Sequence, residues 1–192
     1  MKKELRNIVR LTYLFILGMV LYNINLGNYE FLVYGIVVGL LYYVLLKADK
    51  YYNLPNYSIW LFSIWIFTHF LGGAVHIGGT RLYDLILIDL VGSPFFILKY
   101  DQLIHAYTYF VISIIVYFMM KKHFQKGHNK SLIFFSILAA IGFGVLNEII
   151  EFGMVVFADA ADAVGGYYNT ALDLVFNFIG AVLGVWFVHK ES

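Results

Sequence analysis

Glu148 and Glu151 stand three residues apart inside an apolar run. On a helix they share a face, and in low dielectric two ionised carboxylates repel. Either one of them holds a proton, or a cation or a protonated histidine lies between them. Groups of matching chemistry recur elsewhere: His69, then Asp101 and His105 four apart, then Asn169, Asp173 and Asn177 at steps of four. Hard and borderline divalent cations take carboxylate oxygen and imidazole nitrogen. His69, His105, Glu148, Glu151 and Asp173 are therefore candidate ligands for a divalent metal ion. The same set without a metal would suit an acid–base or proton-relay site. Asn147 and Asn177 alone would suit an interhelical hydrogen-bond network. Glu-x-x-Glu is common in helices, so the pair gains weight only from what surrounds it. The spacing resembles the Glu-x-x-His pairs that hold metals inside helix bundles.

The elements that must position these groups are membrane helices. Of 192 residues, 61% are hydrophobic and 13% charged, against about 25% charged in an ordinary soluble domain. Lipid has to be the solvent for much of such a chain. The 16 tyrosines suit the membrane–water interface. A net charge of +1 leaves no broad basic patch for nucleic acid. The lack of cysteine removes disulfides and thiolate chemistry.

A helix needs roughly 20 mainly apolar residues to cross a bilayer. Six stretches qualify: 8–26, 29–47, 57–76, 102–120, 132–157 and 171–189. The first follows a basic N-terminal segment, but no small-x-small cleavage site follows it, so it reads as a retained span. Residues 83–98 carry Asp84 and Asp89 and are broken by Gly92-Ser93-Pro94; they read as a short interfacial or re-entrant helix. The expected fold is all-α: an integral membrane six-helix bundle forming a single domain over 1–192, with spans three to six around the polar groups. For that span count, 11 lysines and arginines fall on one side and only Arg81 and Lys99 on the other. Positive loops stay inside, which places both termini in the cytoplasm.

Depth then joins the polar groups. Glu148 lies 16 residues past Leu132, about 24 Å along at about 1.5 Å per residue. That is the outer part of a hydrocarbon core about 30 Å thick. His69 lies 12 residues past Tyr57, about 18 Å along by the same rise. His105 and Asp173 open spans that run the other way. Ionisable groups inside spans are costly and by default mark function. His76 is placed seven residues after His69 on the same helix, at the rim. Asp101 suits either a helix cap or the site. His123, His128 and His189 read as solvated surface residues, and Asp159 and Asp162 as solvent-facing loop residues. Gly35 with Gly39, and Gly180 with Gly184, are small-xxx-small pairs that let helices approach.

These readings lead to an enzyme at the extracytoplasmic face, acting on a lipid or lipid-linked substrate. Glu148, Glu151, His105 and Asp173 would be ligands or base, and His69 a ligand or proton donor. A small proton- or cation-coupled transporter, or a non-catalytic membrane scaffold, would use the same residues differently. The expected partner is membrane lipid, with no nucleic acid and no soluble protein implied.

The segments His69–Gly73, Tyr83–Asp84, Tyr100–His105, Asn147–Glu151 and Tyr168–Asp173 resemble, in order and spacing, the YjdF-like family of bacterial inner-membrane proteins. More distantly, the C-terminal part resembles the VanZ-like family, which is associated with glycopeptide-antibiotic resistance. Its shared pattern would correspond here to Asp101 and His105, Glu148 or Glu151, and Asp173 and Asn177. The chain has Asn169-Thr170 where the YjdF-like pattern tends to have Asp-Thr, and no arginine in the loop before the last span. The resemblance implies a membrane bundle in the cytoplasmic membrane of a bacterium or archaeon, and it implies no reaction.

Overall fold

The chain has two prolines, Pro55 and Pro94, and both fall between helices, where a missing backbone donor costs nothing. The uninterrupted apolar runs between such breaks are helical. The computed structural model describes residues 3–25, 29–124, 129–158 and 166–191, with the side chains of 29–33, 158 and 191 set aside. His128, Asp159 and Asp162 lie outside the described residues. The helices are α1 (Arg6–Asn25), α2 (Tyr29–Tyr52), α3 (Asn56–Ala74), α4 (Tyr100–Lys121), α5 (Asn129–Ala158) and α6 (Tyr167–Glu191). Each matches an expected span, and most run a few residues past its apolar stretch. Among the described residues five segments are long and apolar enough to cross a membrane: Lys3–Asn25, Asn56–Ala74, Tyr100–Lys121, Asn129–Phe157 and Tyr167–Lys190. The last two turns of α2 carry Lys47, Asp49 and Lys50.

Two compact units make up the chain, Met1–Leu71 and Gly72–Ser192. In the first, α1 packs on α2. Gly35 and Gly39 face the side chains of Val20 and Ile16, the close approach expected of that pair. Tyr42, fully buried, shares a hydrogen bond with Ser63 Oγ at 2.8 Å, which ties α2 to α3. His69 also lies in this unit. Its ring stacks on Trp65 and Tyr34, with centroids 5.1 and 5.2 Å away.

In the second unit α4 lies along α6, and both meet α5. Tyr109, Ala140 and Ala181 form a buried cluster where the three helices join. The polarity is inverted relative to a water-soluble bundle. Glu148, Asp173 and Asn177 are buried, while Ile149, Ile150, Phe152 and Phe178 point outward. Lipid as the outer solvent accounts for this arrangement.

The structure corrects two local expectations. Helix α3 ends at Ala74, so His76 is not on its face with His69. His76 opens a short hairpin, β1 (His76–Ile77) paired with β2 (Thr80–Arg81). Gly78 and Gly79 close its turn with φ of 60° and 85°, angles that glycine adopts without a Cβ penalty. Residues 83–98 are likewise not helical. After a single 3₁₀ turn, Leu82–Asp84, they form β3 (Ile86–Val91), a turn, and β4 (Ile97–Lys99), antiparallel. The fold is thus helical with two small hairpins. The run Ile86-Leu87-Ile88-Asp89-Leu90-Val91 is half β-branched, which favours extended backbone, and it is too short for a stable helix once Gly92 and Pro94 end it.

Candidate functional site

Three helices bring the polar residues of the second unit together. On α4, Asp101 and His105 are one turn apart at the helix start. Asp101 is not the cap; that place belongs to Lys99, whose N–H donates to the side-chain oxygen of Gln102 at 3.1 Å. Asp101 is thereby free to face inward. On α6, Asn169, Asp173, Asn177, Gly180 and Gly184 form one stripe, as their spacing predicts. Cβ atoms on Gly180 and Gly184 would run into the backbone oxygens of Ala106 and Phe110. Only glycine lets α4 and α6 approach that closely, and this approach sets His105 opposite Asn177. On α5, Gly144, Glu148 and Glu151 share a face. A Cβ on Gly144 would stand 2.9 Å from Asn177 Nδ2.

His105 is the hub. Its Nδ1 lies 3.0 Å from Asn177 Oδ1. An amide oxygen only accepts, so in the neutral ring Nδ1 carries the hydrogen and Nε2 keeps its lone pair. Nε2 faces Asp101 Oδ1 at 3.7 Å, and Nδ1 lies 4.0 Å from Glu148 Oε1. Asn169 Nδ2 donates to Asp173 Oδ2 at 2.7 Å and reaches Asp101 Oδ2 at 3.4 Å. Asn147 Nδ2 donates to Glu151 Oε1 at 2.7 Å. The amides thus hold the carboxylates in place from behind.

Two groups result, joined at His105: Asp101, His105 and Asp173 in one, His105, Glu148 and Glu151 in the other. Within each group, ligand atoms lie within 4.8 Å of one another. Donors placed tetrahedrally about 2.1 Å from one ion are about 3.4 Å apart, close to the 3.7 Å between Nε2 and Asp101. A buried carboxylate without a partner is expensive, yet Glu148 is 8% exposed and Asp173 0%. Among the described residues, both oxygens of Glu148 and Oδ1 of Asp173 find no hydrogen-bond partner, and the Asn147 amide beside Glu148 donates to Glu151 instead. Among the described residues no lysine or arginine pairs with the four acids. The residues therefore fit a cation. The imidazole is also held as metal-bound imidazoles usually are, with its other nitrogen donating to an oxygen acceptor.

Of the residues picked out from sequence, His105, Glu148, Glu151 and Asp173 come together. His69 sits in the N-terminal unit with its ring stacked on Trp65 and Tyr34. His123 and His189 are exposed. Asp101 joins the cluster, and Asn169, Asn147 and Asn177 orient it. Gly144 and Gln102 escaped sequence reading. Gly144 could have been found from its place four residues before Glu148 on the same stripe; Gln102 carried no signal beyond its place near a helix start.

A family of proteins described as "Predicted membrane protein (DUF2238)" has a sequence model that matches residues 7–190. The chain belongs to that family. YjdF is a member too, so the family seen in the motif order is the one that the whole chain matches. No curated protein and no solved structure matches the chain. For this DUF2238 protein, family membership and the apolar helices together give a multi-pass membrane protein.

Proposed function

We propose that the cluster binds a divalent metal ion, and that the protein is a metal-dependent enzyme acting on a lipid or lipid-linked substrate at the extracytoplasmic face of a cytoplasmic membrane. The observation that carries this reading is the convergence of four carboxylates and His105, with buried oxygens on Glu148 and Asp173 that no hydrogen bond satisfies among the described residues. In this reading all six helices cross the membrane as one domain, with both termini inside. The charge distribution of 11 against 2 basic residues supports it. So does the length of α2, 24 residues, about 36 Å at about 1.5 Å per residue.

Asp101, Asp173 and His105 Nε2 would hold the ion. Asn177 keeps the imidazole in the tautomer that leaves Nε2 free, and Asn169 fixes both aspartates. When bound, the ion would act as a Lewis acid on a phosphoryl or acyl oxygen. Glu148, held close by, would take a proton from an attacking water. Glu151, tethered by Asn147, would be the second carboxylate of that half.

The test is turnover. Protein in nanodiscs with manganese or zinc should hydrolyse a member of a panel of lipid phosphates and esters. Glu148→Gln should fold and bind substrate but lose that activity. Metal flux into sealed proteoliposomes without any turnover would instead assign the same site to transport.

A further inference from the structure

The hairpin of β3 and β4 stands at the edge of the cluster. Its base is tied to α4: Tyr100 N–H donates to Leu85 O at 2.9 Å, and β4 runs directly into Tyr100 and Asp101. Its far end reaches α6, where Phe95 meets the ring of Tyr168 edge-on at 5.2 Å, one residue before Asn169. The hairpin therefore runs from the first turn of α4, which supplies Asp101, to the first turn of α6, which supplies Asn169 one turn before Asp173.

This hairpin has the wrong surface for water. All six residues of β3 are exposed. Ile86, Ile88 and Leu90 share one face, and Ile88 is 56% and Leu90 63% exposed. Leu87, Asp89 and Val91 share the other. The charges sit at the base and on that second face: Arg81 paired with Asp84 at 2.9 Å, Lys99, and Asp89. An isolated two-stranded hairpin is at best marginal in water, and among the described residues no third strand covers it. It joins the ends of two apolar helices. Phe157 at the end of α5 and Tyr167 and Tyr168 at the start of α6 are exposed as well, and Tyr168 is the residue that Phe95 of the hairpin meets.

We propose that the β3–β4 hairpin lies in the membrane leaflet at this end of the bundle, with Ile86, Ile88 and Leu90 against the acyl chains and Asp89 toward the head groups. It would form the lipid-facing wall of the mouth that leads to Asp101 and Asp173. The substrate class follows, resting on the enzymatic reading above: an amphiphile that stays in the leaflet and presents its polar head sideways to the cluster.

The absence of native cysteine makes the test direct. Full-length Ile88→Cys, Leu90→Cys and Asp89→Cys, each labelled with an environment-sensitive fluorophore, are placed in nanodiscs made with or without brominated phosphatidylcholine. Labels at 88 and 90 should lose most of their fluorescence to the brominated lipid and resist iodide, with position 89 quenched more by iodide than either. Iodide quenching at 88 and 90 equal to that of the denatured chain would overturn the proposal. Either of the two positions decides it if only one variant is monodisperse. Metal content of the same samples is read separately. A lipid-seated hairpin on a metal-free, folded chain would keep this inference and remove the enzymatic one; a metal-loaded chain with a water-exposed hairpin would do the reverse.

Discussion

Glu148→Gln should make the metal-free protein more stable, and metal should narrow that advantage. The substitution keeps the shape of the side chain and removes one of four acids. At the 4.8 Å limit within its group and an effective dielectric of about 20, two ionised carboxylates repel by about 3.5 kcal/mol. Uptake of a proton by either acid relieves part of it. With chelator present, the variant should therefore gain up to about that much over the unsubstituted chain. Saturation with metal should narrow that difference. Ligand at 100 times its dissociation constant adds about 2.7 kcal/mol to the chain that binds it, and the original chain, whose crowded acids the ion relieves, should gain more than the variant. The assay is unfolding in a mild detergent, followed by circular dichroism with chelator and again with manganese. A variant that is less stable than the original chain even in chelator would refute the reasoning. It would mean that Glu148 holds the bundle together through hydrogen bonds and is not a charge awaiting a counter-ion.

Three more outcomes are expected. Asn177→Leu removes the acceptor that fixes His105, and metal affinity measured by competition with a chelating dye should fall about 10- to 100-fold, the usual effect of losing such a partner, with helicity unchanged. Gly180→Leu would drive a side chain into the Ala106 carbonyl; overpacking of this kind costs about 1–3 kcal/mol, read as a lower midpoint of denaturant unfolding. Cysteines introduced at Lys50 and Lys121 should react with an impermeant maleimide only after cells are opened, whereas one at Thr80 should react from outside; the opposite pattern would invert the topology.

The helices were legible because lipid leaves a coarse mark. Long apolar runs bounded by basic residues or by Pro55 have few other readings, and all six expected spans coincide with helices. The stripe of Asp173, Asn177, Gly180 and Gly184 was legible for the same reason, since helical spacing turns sequence positions directly into one face. The hairpins were not. An apolar run as short as Ile86–Val91 has no periodicity that separates strand from helix, and His76 was carried into α3 because Gly72 and Gly73 alone do not announce where a helix stops. Within the site, the acids and His105 were visible by type. The work of Gly144 depends on how near α5 comes to Asn177, and that is a tertiary fact with no local signature. The stacking of His69 on Trp65 and Tyr34 likewise has no signature in its depth along the helix.

The most direct measurement is the metal content of the protein purified in detergent without chelator, by elemental mass spectrometry, beside the double variants Glu148→Gln/Glu151→Gln and Asp101→Asn/Asp173→Asn. The account predicts near-stoichiometric manganese, zinc or iron in the original chain and its loss from folded Asp101→Asn/Asp173→Asn, with a weaker loss in the glutamate pair. A monodisperse, fully helical sample that carries no metal and takes up none on titration would contradict it.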